Sequence, residues 1–206
     1  MSSKPPPLQP GLFYHLHARG NNRENIFIEE RNYAYFLALY TKHFAPVADT
    51  YAYCLMRNHF HFLVQLHEPR EAISKPQQTP GVSENPWGLS QRFSNFLNAY
   101  AKAINRAYNR TGSLFQNRFG REVVDSDAYF LNLVAYIHRN PQHHHFVDDF
   151  REWPYSSYHT LLSEKESRLS RDEVLGWFGD RASFADFHQR ELELIPIAQF
   201  IVDDID

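Results

Sequence analysis

The chain has one cysteine, Cys54, and a lone thiol cannot close an internal disulfide, which excludes the small disulfide-stapled scaffolds of secreted proteins. Residues 1 to 7 (Met1, two serines, Lys4 and three prolines) lack the apolar core of a signal peptide, and no apolar run approaches the length needed to span a membrane. A soluble chain in a reducing, cytoplasmic setting is the expectation. Internal repeats are absent, and no linker is strong enough to divide the chain into independent domains. What is present suits a globular protein. At 206 residues, 43% hydrophobic and 16% aromatic, the chain is too apolar for wholesale disorder and long enough for one core with an appendage.

An excess of positive charge is also missing, since the net charge is -3. The charge is unevenly spread. Residues 1–147 hold 15 Lys and Arg against 10 Asp and Glu, whereas residues 148–206 hold 6 against 14. A basic part can meet phosphate through locally clustered cations whatever the total, and the acidic part should stay away from it. Charge asymmetry of this kind is also what an ordinary solvated surface gives.

Periodicity divides the chain into alternating strands and helices. Leu12 to Ala18 reads as a strand, Glu29 to Phe44 as an aromatic-rich helix, and Thr50 to Leu66 as a hairpin meeting near Arg57 and Asn58. Pro69 to Trp87, broken by four prolines, reads as a mobile loop. Leu89 to Tyr108 fits a helix stopped by Thr111 and Gly112. Ser113 to Val124 fits a strand, and Asp127 to Asn140 a helix capped by Asp125 or Ser126. Beyond Ser157 come helical patterns at Ser170 to Phe178, opening with a Ser170/Glu173 capping box, and at Ser183 to about Leu194. Strand-helix-strand-strand-helix-strand plus a final helix predicts an α+β, ferredoxin-like antiparallel sheet with helices on one face and a helical C-terminal extension.

Two clusters carry chemistry. His59 and His61 flank Phe60 inside the predicted strand, so both imidazoles project to one side while Phe60, Phe62 and Val64 enter a core on the other. Two rings so placed can share one cation, given a third ligand. Tyr136 and Asn140 lie four apart and stack on one helix face, with Pro141 ending the helix; His138 faces elsewhere, which makes Asn140 the natural partner of the pair. Taken singly, the same patterns also describe a half-buried strand with one polar face and a tyrosine at a core edge.

In their context they resemble one family. Ala18 to Asn22, Met56 to His61, Gly112 to Arg118, Tyr136 to Pro141 and Trp153 to Tyr158 fall in the order and spacing found in single-tyrosine HUH transposases, nearest to the REP-associated tyrosine transposases. The resemblance covers about residues 11 to 163. It implies a transposase domain at 11–163, and outside it the chain reads as a disordered tail at 1–10 and an acidic helical extension at 164–206. It implies a DNA transposase acting on single-stranded or hairpin DNA, with His59, His61 and Asn140 holding Mg or Mn. Tyr136, at a semi-exposed site, would form a 5′-phosphotyrosine intermediate before strand transfer. Arg19, Asn21, Asn22, Arg118 and Arg121 are the residues it assigns to DNA. Relatives of this type are regarded as monomers, and the acidic extension favours a monomer over a homodimer. The run His143 to His145 departs from the family and reads as a polar cluster at a helix end.

Two other classes stay open. A ferredoxin-like sheet can bind RNA or single-stranded DNA without catalysis, with Phe60 or Tyr53 stacking on bases, although no RNP-like signature is present. A zinc hydrolase would use His59 and His61 with a water nucleophile, but no Glu stands beside them in sequence.

Overall fold

The computed structural model describes residues 7–68, 88–116 and 119–190. Four strands, β1 (Phe13–Arg19), β2 (Ala48–Leu55), β3 (His59–Leu66) and β4 (Gly120–Val124), form one antiparallel sheet in the order β2-β3-β1-β4. Helices α1 (Glu30–His43) and α2 (Leu89–Ala107) complete the expected βαββαβ path. The α+β, ferredoxin-like class is therefore the observed one.

Burial on both sheet faces explains why strands so rich in aromatics are stable. Phe60, Phe62 and Val64 on β3 and Tyr14, Leu16 and Ala18 on β1 pack beneath Phe36 and Tyr40 of α1 and Phe93, Phe96 and Tyr100 of α2. The opposite face meets α3 (Asp127–His143), which packs on β2 and β3. Helices therefore cover both faces, where one was expected. Leu133, Val134 and Ile137 of α3 are fully buried, and an all-round apolar helix of this kind needs cover on more than one side.

That cover comes from the C-terminal segment. After α4 (Tyr158–Leu162), α5 (Arg171–Phe178) and α6 (Arg181–Phe187) contribute Val174 and Phe184, both fully buried, to the α3 core. The described part of the acidic extension, residues 164–190, thus packs into the core around α3. The Trp153 to Tyr158 stretch lies along the β2 edge: Leu55 N–H donates to Tyr155 O at 2.9 Å, Ser157 N–H to Tyr53 O at 2.9 Å and Trp153 Nε1 to Leu55 O at 3.0 Å. Covering an edge in this way removes a template for strand addition.

Several boundaries differ from expectation for local reasons. Leu8 is buried and Gln9 N–H donates to the Tyr14 hydroxyl, so these two residues of the expected tail pack on the fold, while residues 1–6 lie outside the described residues. The strand expected from Ser113 reduces to β4, with Phe115 making only an isolated bridge to Gly20, because β1 turns away after Arg19. α2 stops before Asn109, which takes the left-handed conformation at φ 50°. Pro141 lies within α3 rather than ending it, since one missing N–H in the last turn is tolerated. Glu173 does not form the expected capping box; its carboxylate accepts from the Tyr51 hydroxyl. Ser126 caps α3 as one of the two expected residues, accepting from Tyr129 N–H. The 69–87 loop, and any helix continuing past residue 190, lie outside the described residues. Among the described residues no helix is long and apolar enough to cross a membrane.

Candidate active site

Directly opposed residues of an antiparallel pair share a sheet face, and the register here gathers a polar set on the α3 side. Arg19 faces His59, His17 faces His61, and Glu122 of β4 faces His15. His15, His17, His59, His61 and Glu122 therefore lie together on a face otherwise closed by α3. Burial is nearly complete for His15, His59 and His61.

α3 brings Tyr136 and Asn140 to this face. Asn140 Oδ1 lies 3.2 Å from His59 Nε2, and the Tyr136 ring stands edge-on to His61 with centroids 5.8 Å apart. The four residues singled out in the sequence, His59, His61, Tyr136 and Asn140, are thus neighbours in space. Tyr136 is only 2% exposed, in contrast to the semi-exposed position expected of it. Its ring also meets His143, at 6.2 Å.

The donor set around His59 constrains its proton. Nδ1 lies 2.7 Å from Asn58 Oδ1 and Nε2 3.2 Å from Asn140 Oδ1. A neutral imidazole carries one N–H and can donate to only one of these oxygens. If Nδ1 donates to Asn58, then Nε2 and Asn140 Oδ1 present lone pairs to each other. Their separation is close to the edge of about 3 Å between adjacent ligands on a shared octahedral cation. Asn140 Nδ2 is buried and donates to none of the described residues, which agrees with Oδ1 being the atom turned to His59. A half-turn of the Asn140 amide would instead give an ordinary hydrogen bond to Nε2. Burial first, then the neighbouring His59 and His17, lowers the His61 pKa well below the usual histidine range, so its ring is neutral at pH 7 and has a lone pair to offer.

The structure also brings in residues that the sequence reading left out. Asn58 orients His59. The His144 ring stands 4.7 Å from His59, so part of the His143 to His145 run touches the site instead of only decorating a helix end. His15 Nε2 meets His61 Nδ1 at 2.8 Å. A carboxylate does stand near the histidines: Glu122 approaches His15 and His17 from β4, a contact between residues more than a hundred positions apart that no local motif encodes. His15 and His17 form a second His-x-His pair, and that spacing was a usable signal. Cys54, opposite His61 on β2, is fully buried, and burial pushes its thiol pKa well up, so it stays protonated and unreactive.

The residues assigned to DNA divide in two. Arg19 ends β1 beside His59, and Asn21 and Asn22 form the turn that follows, with Asn21 N–H donating to Leu114 O. Gly20 is needed in this turn because a Cβ there would lie 2.0 Å from Glu24 O. Arg121 sits across the sheet: it pairs with Leu16, donates to Ser90 Oγ on α2 at 2.9 Å and stacks on Phe119 at 4.2 Å. That engagement separates it from the histidine face. Arg118 lies outside the described residues.

No family model matches the chain. Over 113 residues, 54% of the chain, it is 28% identical to a Haemophilus influenzae protein provisionally named a REP-associated tyrosine transposase. The match spans 59% of that relative's length. Its fold is similar to a solved structure described as a REP-associated tyrosine transposase bound to a REP hairpin, with a TM-score of 0.59 and 17% identity, covering 80% of this chain and 87% of the other. The resemblance drawn from the five sequence stretches therefore holds in sequence and in fold, and both relatives are tyrosine transposases by name.

Proposed function

We propose that the chain is a cytoplasmic transposase that cleaves and rejoins single-stranded DNA at hairpin-bearing ends, with Tyr136 as nucleophile. The observation that supports this most is the convergence of Tyr136 and Asn140, from one helix, on His59 and His61, from one strand, in a chain similar to REP-associated tyrosine transposases.

His59, His61 and Asn140 would hold a divalent cation, and a nitrogen-rich set with one amide oxygen suits Mn better than Mg. Such a cation supplies a positive charge that polarises the scissile phosphate and offsets the charge developing on it. The protein residues do the rest. Asn58 fixes the His59 ring so that Nε2 faces Asn140. Tyr136 Oη forms a bond to phosphorus as the bond from phosphorus to the 3′ oxygen breaks. The phenol loses its proton, the departing 3′ oxygen gains one, and the ester is conserved as a 5′-phosphotyrosine. The free 3′-hydroxyl of another strand reverses the exchange, which joins strands without water or a nucleotide. Because the phenol is buried, it must be uncovered before DNA reaches it.

Arg19 stands next to His59 with Asn21 and Asn22 in the turn that follows, and the three suit contacts to the flanking backbone; a monomer is the assembly we favour. Incubating the protein with labelled hairpin oligonucleotides, Mn and no nucleotide tests the reading. A covalent adduct that survives denaturation and disappears in Tyr136→Phe is the expected result. Cleavage without an adduct would make the protein a hydrolase, and binding without cleavage would make it a nucleic-acid binding module; either outcome overturns the proposal.

A further inference from the structure

The second His-x-His pair has a geometry that the proposed reaction does not use. Glu122 Oε2 lies 3.2 Å from His17 Nε2 and 3.6 Å from His15 Nδ1. The ligand atoms of the three residues all fall within 4.8 Å of one another. His17 Nε2 also meets Glu122 Oε1 at 3.4 Å, so the carboxylate faces both imidazoles, at distances longer than the about 2.7–2.9 Å of a charge-assisted N–H···O bond. Bonds of about 2.0–2.1 Å to a tetrahedral zinc ion place its ligands about 3.3 Å apart, close to the 3.2 and 3.6 Å that separate Glu122 Oε2 from the two imidazole nitrogens.

The surroundings agree with a built site. His15 is fully buried, while His17 and Glu122 are 22% and 27% exposed, so the cluster is closed on its inner side and open to solvent on its outer one. The His17 ring lies across β4 only because position 120 has no side chain: a Cβ on Gly120 would fall 2.0 Å from His17 Nε2, in the ligand position itself. His15 is oriented from its other side by the 2.8 Å contact between its Nε2 and His61 Nδ1. A ring held through one nitrogen while the other faces a metal is the usual arrangement of protein zinc ligands.

We propose that His15 Nδ1, His17 Nε2 and the Glu122 carboxylate bind a divalent cation of the zinc class, at a site separate from His59, His61 and Asn140, with the remaining coordination position open to water. The site rests on these three side chains and not on the proposed transposase activity. With a cation on Nδ1, the only place for the proton of neutral His15 is Nε2, on the hydrogen bond to His61. His61 Nδ1 then accepts and the His61 proton sits on Nε2, so a cation on His15 competes with one on His61, and the two histidine clusters are coupled through this one hydrogen bond.

Titration of the full chain with Co²⁺, read by the visible absorption of tetrahedral cobalt, and with Zn²⁺ by calorimetry, tests this. We expect His17→Ala and the near-isosteric Glu122→Gln each to weaken the tetrahedral event at least about tenfold, with circular dichroism unchanged. His59→Ala should retain it. Absence of a tetrahedral signal in the unmodified protein overturns the proposal. So does its persistence at full affinity in the folded His17→Ala/Glu122→Gln double variant, which would place the cation elsewhere, or its loss in His59→Ala, which would make the two clusters one site.

Discussion

Acid should release the lock that holds the helix carrying Tyr136, and the structure sets its size. His188 Nδ1 donates to Phe184 O at 2.8 Å, which leaves Nε2 to accept from His138 Nδ1 at 2.8 Å; His138 Nε2 then faces Ser157 Oγ at 2.7 Å. This arrangement joins α6, α3 and the segment along the β2 edge, and it is satisfied only while both rings are neutral. Burial, helped by Arg139, lowers the His188 pKa to about 4, even though the bond to Phe184 O opposes the shift. Burial, then His188 and His159, lowers His138 well below the usual range. Both folded-state pKa values lie below the unfolded value of about 6.5, so as pH falls the unfolded chain takes up protons first. The stability is fully present above that value and is lost on the way down to about pH 4. Between pH 7 and pH 5 the loss from His188 alone is about 2 kcal/mol. His138, His15 and His61 act in the same direction. Urea unfolding of the unmodified protein and of His188→Gln at pH 7, 6 and 5 measures this. The variant should be the less stable at pH 7, and the two stabilities should converge by about 2 kcal/mol at pH 5. Parallel losses in the two proteins would refute the reasoning.

Tyr136→Phe should keep the fold and DNA binding while abolishing cleavage and the covalent adduct; cleavage at the normal rate would end the assignment of the nucleophile. His59→Ala and His61→Ala should each remove activity at a temperature where circular dichroism shows them folded, and EDTA should do so in the unmodified protein with the thermal melt little changed. Asn140→Ala should cost less, because water can replace a neutral amide ligand, and an equal loss would argue for the hydrogen-bonded amide instead of a ligand. Ending the chain after Ser163 removes the fully buried Val174, Phe184 and His188. At about 3–5 kcal/mol for loss of a buried aromatic alone, that approaches the whole stability of a domain, and cooperative unfolding should be lost by circular dichroism. Neutralising the exposed Glu166 and Asp172 should modestly tighten non-specific DNA binding at low salt, with the gain vanishing as salt is raised; a weaker complex would make the acidic helices a recognition element.

What was legible in the sequence is what chain-local physics writes there. Alternation by two placed His59 and His61 opposite Phe60 and Phe62, and the helical repeat placed Tyr136 with Asn140. The order of periodic segments was enough for the ferredoxin-like sheet, because each element had to bury its own apolar face. The capping box expected at Ser170 failed for a tertiary reason: a carboxylate that a capping motif would use locally was claimed by Tyr51 of β2. In the same way, Arg121 reads as a free cation in one dimension, yet its place in the register turns it to Ser90 and Phe119 on the other side of the sheet. Only the tertiary structure decided that the acidic extension completes a core, since Phe184 and His188 become buried through partners on α3 and α4 that composition does not reveal. Only the tertiary structure brought Glu122 to His15 and His17, since β4 pairs with β1 across more than a hundred residues of chain. Periodicity acts within one element and tells which way a side chain points. Which element it then meets is settled by strand order and register, and those follow from burying all the elements together.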